Sequence, residues 1–271
     1  MKPGRPDIAA PELPRQADWI NVRFMQMSTL LGRCVPLVWF WDYSSLNSLR
    51  ALPYLQEWHR RYRDTGLRVI GVHSPQFDFG RQLSLVEDAV RRLGIEFAVV
   101  HDPEFEIWRL YGNEVWPALY LWDRRSVLRH YHFAEGGYDE TERTIQQLLR
   151  EIDDELELAD PMKPLRETDR PGALVQAPTP HRYLADTNGG RAVAAGDQLA
   201  VRYRAASAAA VLDGNGEVDL ELDRKPLRTI RLEGPRLYRL FDSRDSEEHE
   251  LTLHFRDKAR AYAFNFAAGP A

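Results

Sequence analysis

The chain has 271 residues, 44% of them hydrophobic, enough to bury one or two sizeable cores. Its net charge of −5 supplies no basic field for nucleic acid. No apolar run is long enough to span a bilayer, so membrane insertion is not expected.

Residues 1–17 are Pro-rich and read as an extended arm, and the opening Met1-Lys2-Pro3-Gly4-Arg5-Pro6-Asp7 has no signal-peptide core, which favours a cytoplasmic over a processed extracytoplasmic protein. Cys34 is the sole cysteine, so no disulfide between two cysteines of this sequence can form. At the start of an apolar strand it reads as a small hydrophobe. That strand, Val35 to Trp41, runs into a helix expected over 45–64 and stopped at Gly66. At the join stand Ser44, Ser45 and Ser48. Serine is a preferred N-cap, so a Ser-Ser pair opening a helix needs no catalytic explanation when taken alone. Pro53 falls inside the helical run, where it removes a hydrogen bond and is unusual without a reason.

A second strand is expected over Leu67 to His73, a helix over 79–93 stopped by Gly94, and a short strand over Phe97 to His101. Helix 103–111 would take Asp102 as N-cap and Pro103 at its first position. Pro117 to Trp122 and Val127 to Phe133 form a hairpin across 123–126. The last helix of this half begins near Tyr138 and runs to about Glu155, with Asp139 and Glu142 in capping-box spacing. Strands alternating with helices, then a hairpin and a helix, give an α/β domain with a mixed sheet over 18–155.

Residues 156–180 are acidic and Pro-rich without periodicity, and read as a linker. Over 181–271 the pattern changes to period two, as in Val218, Leu220 and Leu222 or Tyr262, Phe264 and Phe266, with Asp213-Gly214-Asn215-Gly216 as a hairpin-turn signal. Seven or so short strands would make an all-β sandwich of jelly-roll kind. All seven tryptophans lie at or before Trp122, so the tail lacks the exposed aromatic platform that carbohydrate recognition uses, and sugar binding is disfavoured.

Other constellations carry less. His130 and His132 share a strand face at a spacing compatible with metal ligation, but no third ligand accompanies them and no metal is expected. Asp102, Glu104 and Glu106 read as helix-start charges. No Gly-x-Ser-x-Gly elbow surrounds Ser45 and no glycine cluster makes a phosphate loop, so neither a serine hydrolase nor a nucleotide cofactor is indicated.

The run Phe40-Trp41-Asp42-Tyr43-Ser44-Ser45-Leu46-Asn47-Ser48-Leu49-Arg50-Ala51-Leu52-Pro53-Tyr54-Leu55 resembles the DipZ-type branch of the TlpA-like thioredoxin family, whose members read Phe-Trp-x-Tyr-x-Cys-x-Asn-Cys-x-Arg-x-Leu-Pro-Tyr. Three further stretches match the same branch in the same order: 71–75, 111–118 and 132–138. The resemblance implies a thioredoxin-like domain followed by a β domain of carbohydrate-binding-module-like fold. It also implies a cis Trp116–Pro117 bond facing the redox pair, and thiol-disulfide oxidoreductase ancestry. Ser45 and Ser48 stand where the family carries its two redox cysteines. A serine hydroxyl does not ionise near neutral pH and cannot form a mixed disulfide. Trp39 stands where relatives often carry a buried aspartate that accepts the second thiol's proton, so the resemblance implies that the acid–base partner is missing as well.

Three classes of function stay open at this point. One is a redox-inactive module that holds an extended peptide or protein partner, with Trp41, Tyr43, Ser44, Trp116 and Pro117 as binding residues and Trp41, Tyr43 and Trp116 as an exposed aromatic rim. Another is an oxidoreductase carrying Cys-to-Ser replacements. The third is a structural subunit that docks through the β-sandwich.

Overall fold

The computed structural model describes residues 9–270. They fall into two compact units. The first comprises the residues before Tyr43 together with Asn47–Pro75 and Gly80–Leu165. The second begins at Arg166 and takes in two short segments from earlier in the chain, Tyr43–Leu46 and Gln76–Phe79.

The first unit is built on a six-stranded mixed sheet. Its strands are β1 (Trp19–Ile20), β2 (Val35–Trp41), β3 (Leu67–His73), β4 (Ala98–His101), β5 (Ala118–Trp122) and β6 (Leu128–Phe133), in the order β1-β4-β3-β2-β5-β6. β2, β3 and β4 run parallel, whereas β1, β5 and β6 join antiparallel. The helices are α1 (Met27–Leu30), α2 (Leu46–Tyr62), α3 (Leu83–Arg92), α4 (Glu106–Leu110) and α5 (Tyr138–Arg150). This is a thioredoxin-like α/β arrangement. Every residue of β2 and β5 is buried, as expected for strands covered on both faces.

Alternation along β2 sorts its side chains onto two faces. Val38 and Phe40 join Ile70, Val72, Val100, Tyr120 and Trp122 in one core cluster. Trp39 and Trp41 point to the other face and stack on each other, with centroids 5.2 Å apart and planes 8° from parallel. Trp39 lies opposite Gly71 in the register of β2 and β3. A Cβ at Gly71 would sit 3.0 Å from Trp41 Nε1 and 3.2 Å from Phe97, so the glycine makes room for large rings on the neighbouring strand.

α2 buries Ser48, Ala51, Leu52, Leu55, Trp58 and Tyr62, a helical stripe, and leaves Pro53 exposed. α5 lays Ile145, Leu148 and Leu149 into the core. It begins differently from the capping-box expectation. Gly137, in the left-handed region at φ 64°, precedes it, no side chain caps it, and Asp139 pairs instead with Arg143 at 2.8 Å. Glu142 turns inward, where its carboxylate accepts hydrogen bonds from Tyr62 Oη at 2.7 Å and the Met162 amide at 2.8 Å. With Gln146 Nε2 donating to Ala159 O and the Leu165 amide donating to Tyr54 Oη, these bonds pin the acidic, Pro-rich stretch 159–165 to α2 and α5. The helix ends at Arg150, short of Glu155.

Two more expectations change at helix starts. The span 79–93 divides into a 3₁₀ turn, Asp78–Arg81, and α3. α4 starts at Glu106 because Phe105 takes a left-handed conformation at φ 58°, so Pro103 is not its first residue. Asp102 still serves this end: its carboxylate accepts the amides of Ile107 at 3.0 Å and Trp108 at 2.9 Å.

The second unit is all-β. It contains β7 (Val175–Gln176), β8 (Arg182–Tyr183), β9 (Arg191–Val193), β10 (Gln198–Leu222), β11 (Lys225–Glu233), β12 (Arg236–Phe255), β13 (Ala259–Ala267) and β14 (Gly269–Pro270). β10 pairs with β11, β12 and β13, and inward residues such as Leu199, Val201, Leu220, Leu253 and Phe264 form its core. The expected set of short strands is replaced by long bent ones, of 25 residues in β10 and 20 in β12. Asp213 to Gly216 is not a turn but part of β10, where pairing shifts register and Gly214 takes φ 154°. The hairpin turn falls instead at Asp223-Arg224, both at positive φ, between β10 and β11.

Candidate functional site

The positions singled out in the sequence gather around the C-terminal end of β2. Ser48 lies in the first turn of α2, and Ser44 and Ser45 in the turn that precedes it; all three are buried, Ser45 at 2% exposure. The Asp42 amide donates to Ser48 Oγ at 3.4 Å. Neither hydroxyl supplies a nucleophile for disulfide exchange.

Pro117 opens β5. The Trp116–Pro117 bond is cis, and Pro117 O accepts the Ala134 amide at 2.8 Å. Trp116 is half-buried, its indole Nε1 donating to Ser74 O at 2.8 Å while its ring packs on Trp108 at 4.2 Å. Ser74 in turn donates its amide to Trp41 O at 3.2 Å and its hydroxyl to Asp102 at 2.9 Å.

An exposed rim of Trp41, Tyr43 and Trp116 is not what the structure has. Trp41 is fully buried, because it continues the Trp39 stack and meets the edge of His73 at 5.2 Å. Tyr43 is 2% exposed and belongs to an aromatic cluster of the second unit, 5.8 Å from Phe79, which itself meets Tyr262 at 4.9 Å. Only Trp116 among the three presents part of its ring to solvent.

The structure also brings in two residues that the sequence reading passed over. Asp42 and His73 are completely buried, with Asp42 Oδ2 3.6 Å from His73 Nε2. Burial, reinforced by the nearby His101, drives the His73 pKa down to about 3, so its imidazole is neutral near pH 7. Position 39 therefore lacks a carboxylate, but this end of the sheet does not. The available signal was His73 itself, a polar residue closing the mostly apolar run Val69 to Val72.

His130 and His132 sit on one face of β6, where His130 Nε2 bonds Thr141 Oγ1 at 3.0 Å. His132 lies against Gly137 so closely that a Cβ there would approach Nδ1 to 2.6 Å. These are packing contacts of the β6–α5 corner.

Residues 183–267 match the family model described as thioredoxin like C-terminal domain. Over 178 residues, 65% of this chain, the sequence is 34% identical to protein DipZ of Mycobacterium bovis and of Mycobacterium tuberculosis. The chain spans about a quarter of the length of those relatives, 25%. It is 25% identical to the thiol-disulfide oxidoreductase YkuV of Bacillus subtilis, a match covering 53% of this chain and 95% of YkuV. Among solved structures it is similar to a thioredoxin-like protein in its oxidized form, with 25% identity, a TM-score of 0.49, and coverage of 54% of this chain and 97% of the other. The chain thus joins a thioredoxin-like domain, of the kind found in thiol-disulfide oxidoreductases, to an all-β C-terminal domain.

Proposed function

We propose that this chain acts without thiol exchange, as a thioredoxin-like module that binds an extended peptide or protein segment at the Pro117 loop. The observation that carries the reading is the presence of serine at both 45 and 48 in a chain whose sole cysteine, Cys34, is buried at the start of β2. An enzyme of this class works through a thiolate at the helix start, and none can form there. Trp116 supports the binding half of the proposal. It is a large ring, held by a hydrogen bond to Ser74 and still partly open to solvent, which suits a contact residue better than the enclosed Trp41 and Tyr43 do.

The experiment is a fluorescence-polarisation screen of the full chain against a library of labelled, cysteine-free extended peptides. Binding by a subset is expected, lost in Trp116→Ala and largely kept in Trp116→Phe, which retains a ring at the loop. Absence of binding across the library, or binding indifferent to Trp116→Ala, contradicts the proposal.

A further inference from the structure

Away from the Ser45 turn, carboxylates gather at a second place. A cleft of about 330 Å³ opens where β4 leads into α4, lined by Asp18, His101, Asp102, Glu104 and Glu106 among others. Among the described residues no lysine or arginine lines it. In the second unit exposed carboxylates are matched by cations, Glu250 by Arg202 at 2.7 Å and Glu248 by Arg204 at 2.6 Å. Here Asp102 is satisfied by Ser74 Oγ and the amides of Ile107 and Trp108, and Glu104 meets Arg81 at 2.9 Å. Asp18 and Glu106 stand exposed with no ion pair among the described residues.

Acidic residues alone would make only a solvated face, but the wall of the cleft adds a separate feature. His101 is 3% exposed, and its Nε2 lies 3.0 Å from Gly80 O. A carbonyl oxygen only accepts, so Nε2 carries the proton and the neutral ring keeps Nδ1 as an acceptor. Nδ1 is buried and has no hydrogen-bond partner. Gly80 does not line the cleft, so the bonded nitrogen is turned from it, and Nδ1 is what His101 holds for a donor entering there. A buried acceptor left unpaired is destabilising, and in a native protein it marks a bond that another group completes.

The rim shows how a guanidinium is held. Arg81 Nη1 donates to Pro103 O at 2.7 Å and to Glu104 Oε1 at 2.9 Å, with its charge 6.0 Å from the Phe105 ring centroid. The same ring meets Trp116 edge-on at 6.2 Å, and Trp116 is tied through Ser74 to Asp102. The cleft therefore begins one side chain away from the Pro117 loop.

We propose that the segment bound at the Pro117 loop carries a lysine or arginine whose cationic head enters this cleft, facing the Asp18 and Glu106 carboxylates and donating to His101 Nδ1. This site builds on the peptide-binding reading and sets its partner class: segments with a basic side chain. Ion pairs at such exposure are individually weak, so two carboxylates acting on one cation give a preference of about fivefold to tenfold, not an absolute requirement.

The full chain is tested with two probes. Labelled cysteine-free peptides are compared by polarisation with versions in which lysine and arginine become glutamine. The basic versions are expected to bind about fivefold to tenfold tighter at low salt, a preference that shrinks as salt rises. The Asp18→Asn, Glu106→Gln double variant, changed only at exposed positions, should lose it with circular dichroism unchanged. Binding with no preference for the basic versions, or a preference that survives the double variant, overturns the inference and leaves the peptide-binding reading standing. The second probe, acetyl-arginine methylamide, is followed by nuclear magnetic resonance at His101 Nδ1 and the residue 106 amide. Saturable shifts at both, absent in the double variant, are expected. Such shifts in a chain that binds no peptide would remove the loop reading and keep the cation site. Unmoved resonances overturn the inference.

Discussion

Lowering the pH from 6.5 to 4.5 is expected to cost the N-terminal unit about 2 kcal/mol of stability through His73, rising to about 4 kcal/mol by pH 3. The sign follows from where the proton goes. In the folded chain the imidazole stays neutral down to about 3, whereas in the unfolded chain it protonates near the ordinary value of 6.5. Below 6.5 the unfolded state binds more protons, so stability falls with pH until both states are protonated, below about 3. His59 and His130 are also lowered by burial and act in the same direction. Carboxylates such as Glu57, held down to about 2 by Arg60 and Arg61, contribute only as pH drops below 4.5, whereas Asp102, raised by burial, works against the histidines as pH falls. Urea unfolding followed by tryptophan fluorescence reads this unit selectively, because every tryptophan lies at or before Trp122. His73→Gln should flatten the slope between pH 6.5 and 4.5. An equal slope in the variant would mean that the buried imidazole is charged in the folded chain.

The second large effect is expected at Trp39. Trp39→Ala should destabilise the same unit by about 3–5 kcal/mol, the range for truncating a buried large aromatic side chain. The ring is 1% exposed, stacked on Trp41 and set edge-on to Phe97 at 6.2 Å, and Gly71 on the neighbouring strand offers no side chain to close the void. Trp39→Phe should cost less, since it keeps part of the stack. A loss below about 1 kcal/mol for Trp39→Ala would mean that the strand relaxes around the cavity, which dense interiors rarely do.

What the sequence conveyed about this fold depended on the length of the signal. β2, β3 and α2 were legible because apolar runs or a full helical stripe repeat over many residues and end in glycine or proline. β1 and α1, of two and four residues, are too short to carry a period. The Asp213 to Gly216 stretch has the local chemistry of a turn, but pairing with β11 and β13 on either side holds it extended, so tertiary contacts override the local preference.

The site was legible in the same partial way. The serines at 45 and 48, and Pro117, could be placed from spacing and flanking residues alone. The Asp42–His73 pair could not, because the two residues are remote in sequence and meet only through the parallel register that sets Trp41 opposite His73. Nor could the burial of Tyr43, which depends on Phe79 and Tyr262 from distant parts of the chain.

Whether the thioredoxin-like scaffold here works without redox chemistry is read out by disulfide exchange. The full chain with Cys34→Ala, incubated with insulin and dithiothreitol, should precipitate insulin no faster than dithiothreitol alone, because neither Ser45 nor Ser48 can form a mixed disulfide. Any acceleration above that background would mean that the scaffold exchanges disulfides without a thiol at the helix start, the opposite of what is expected.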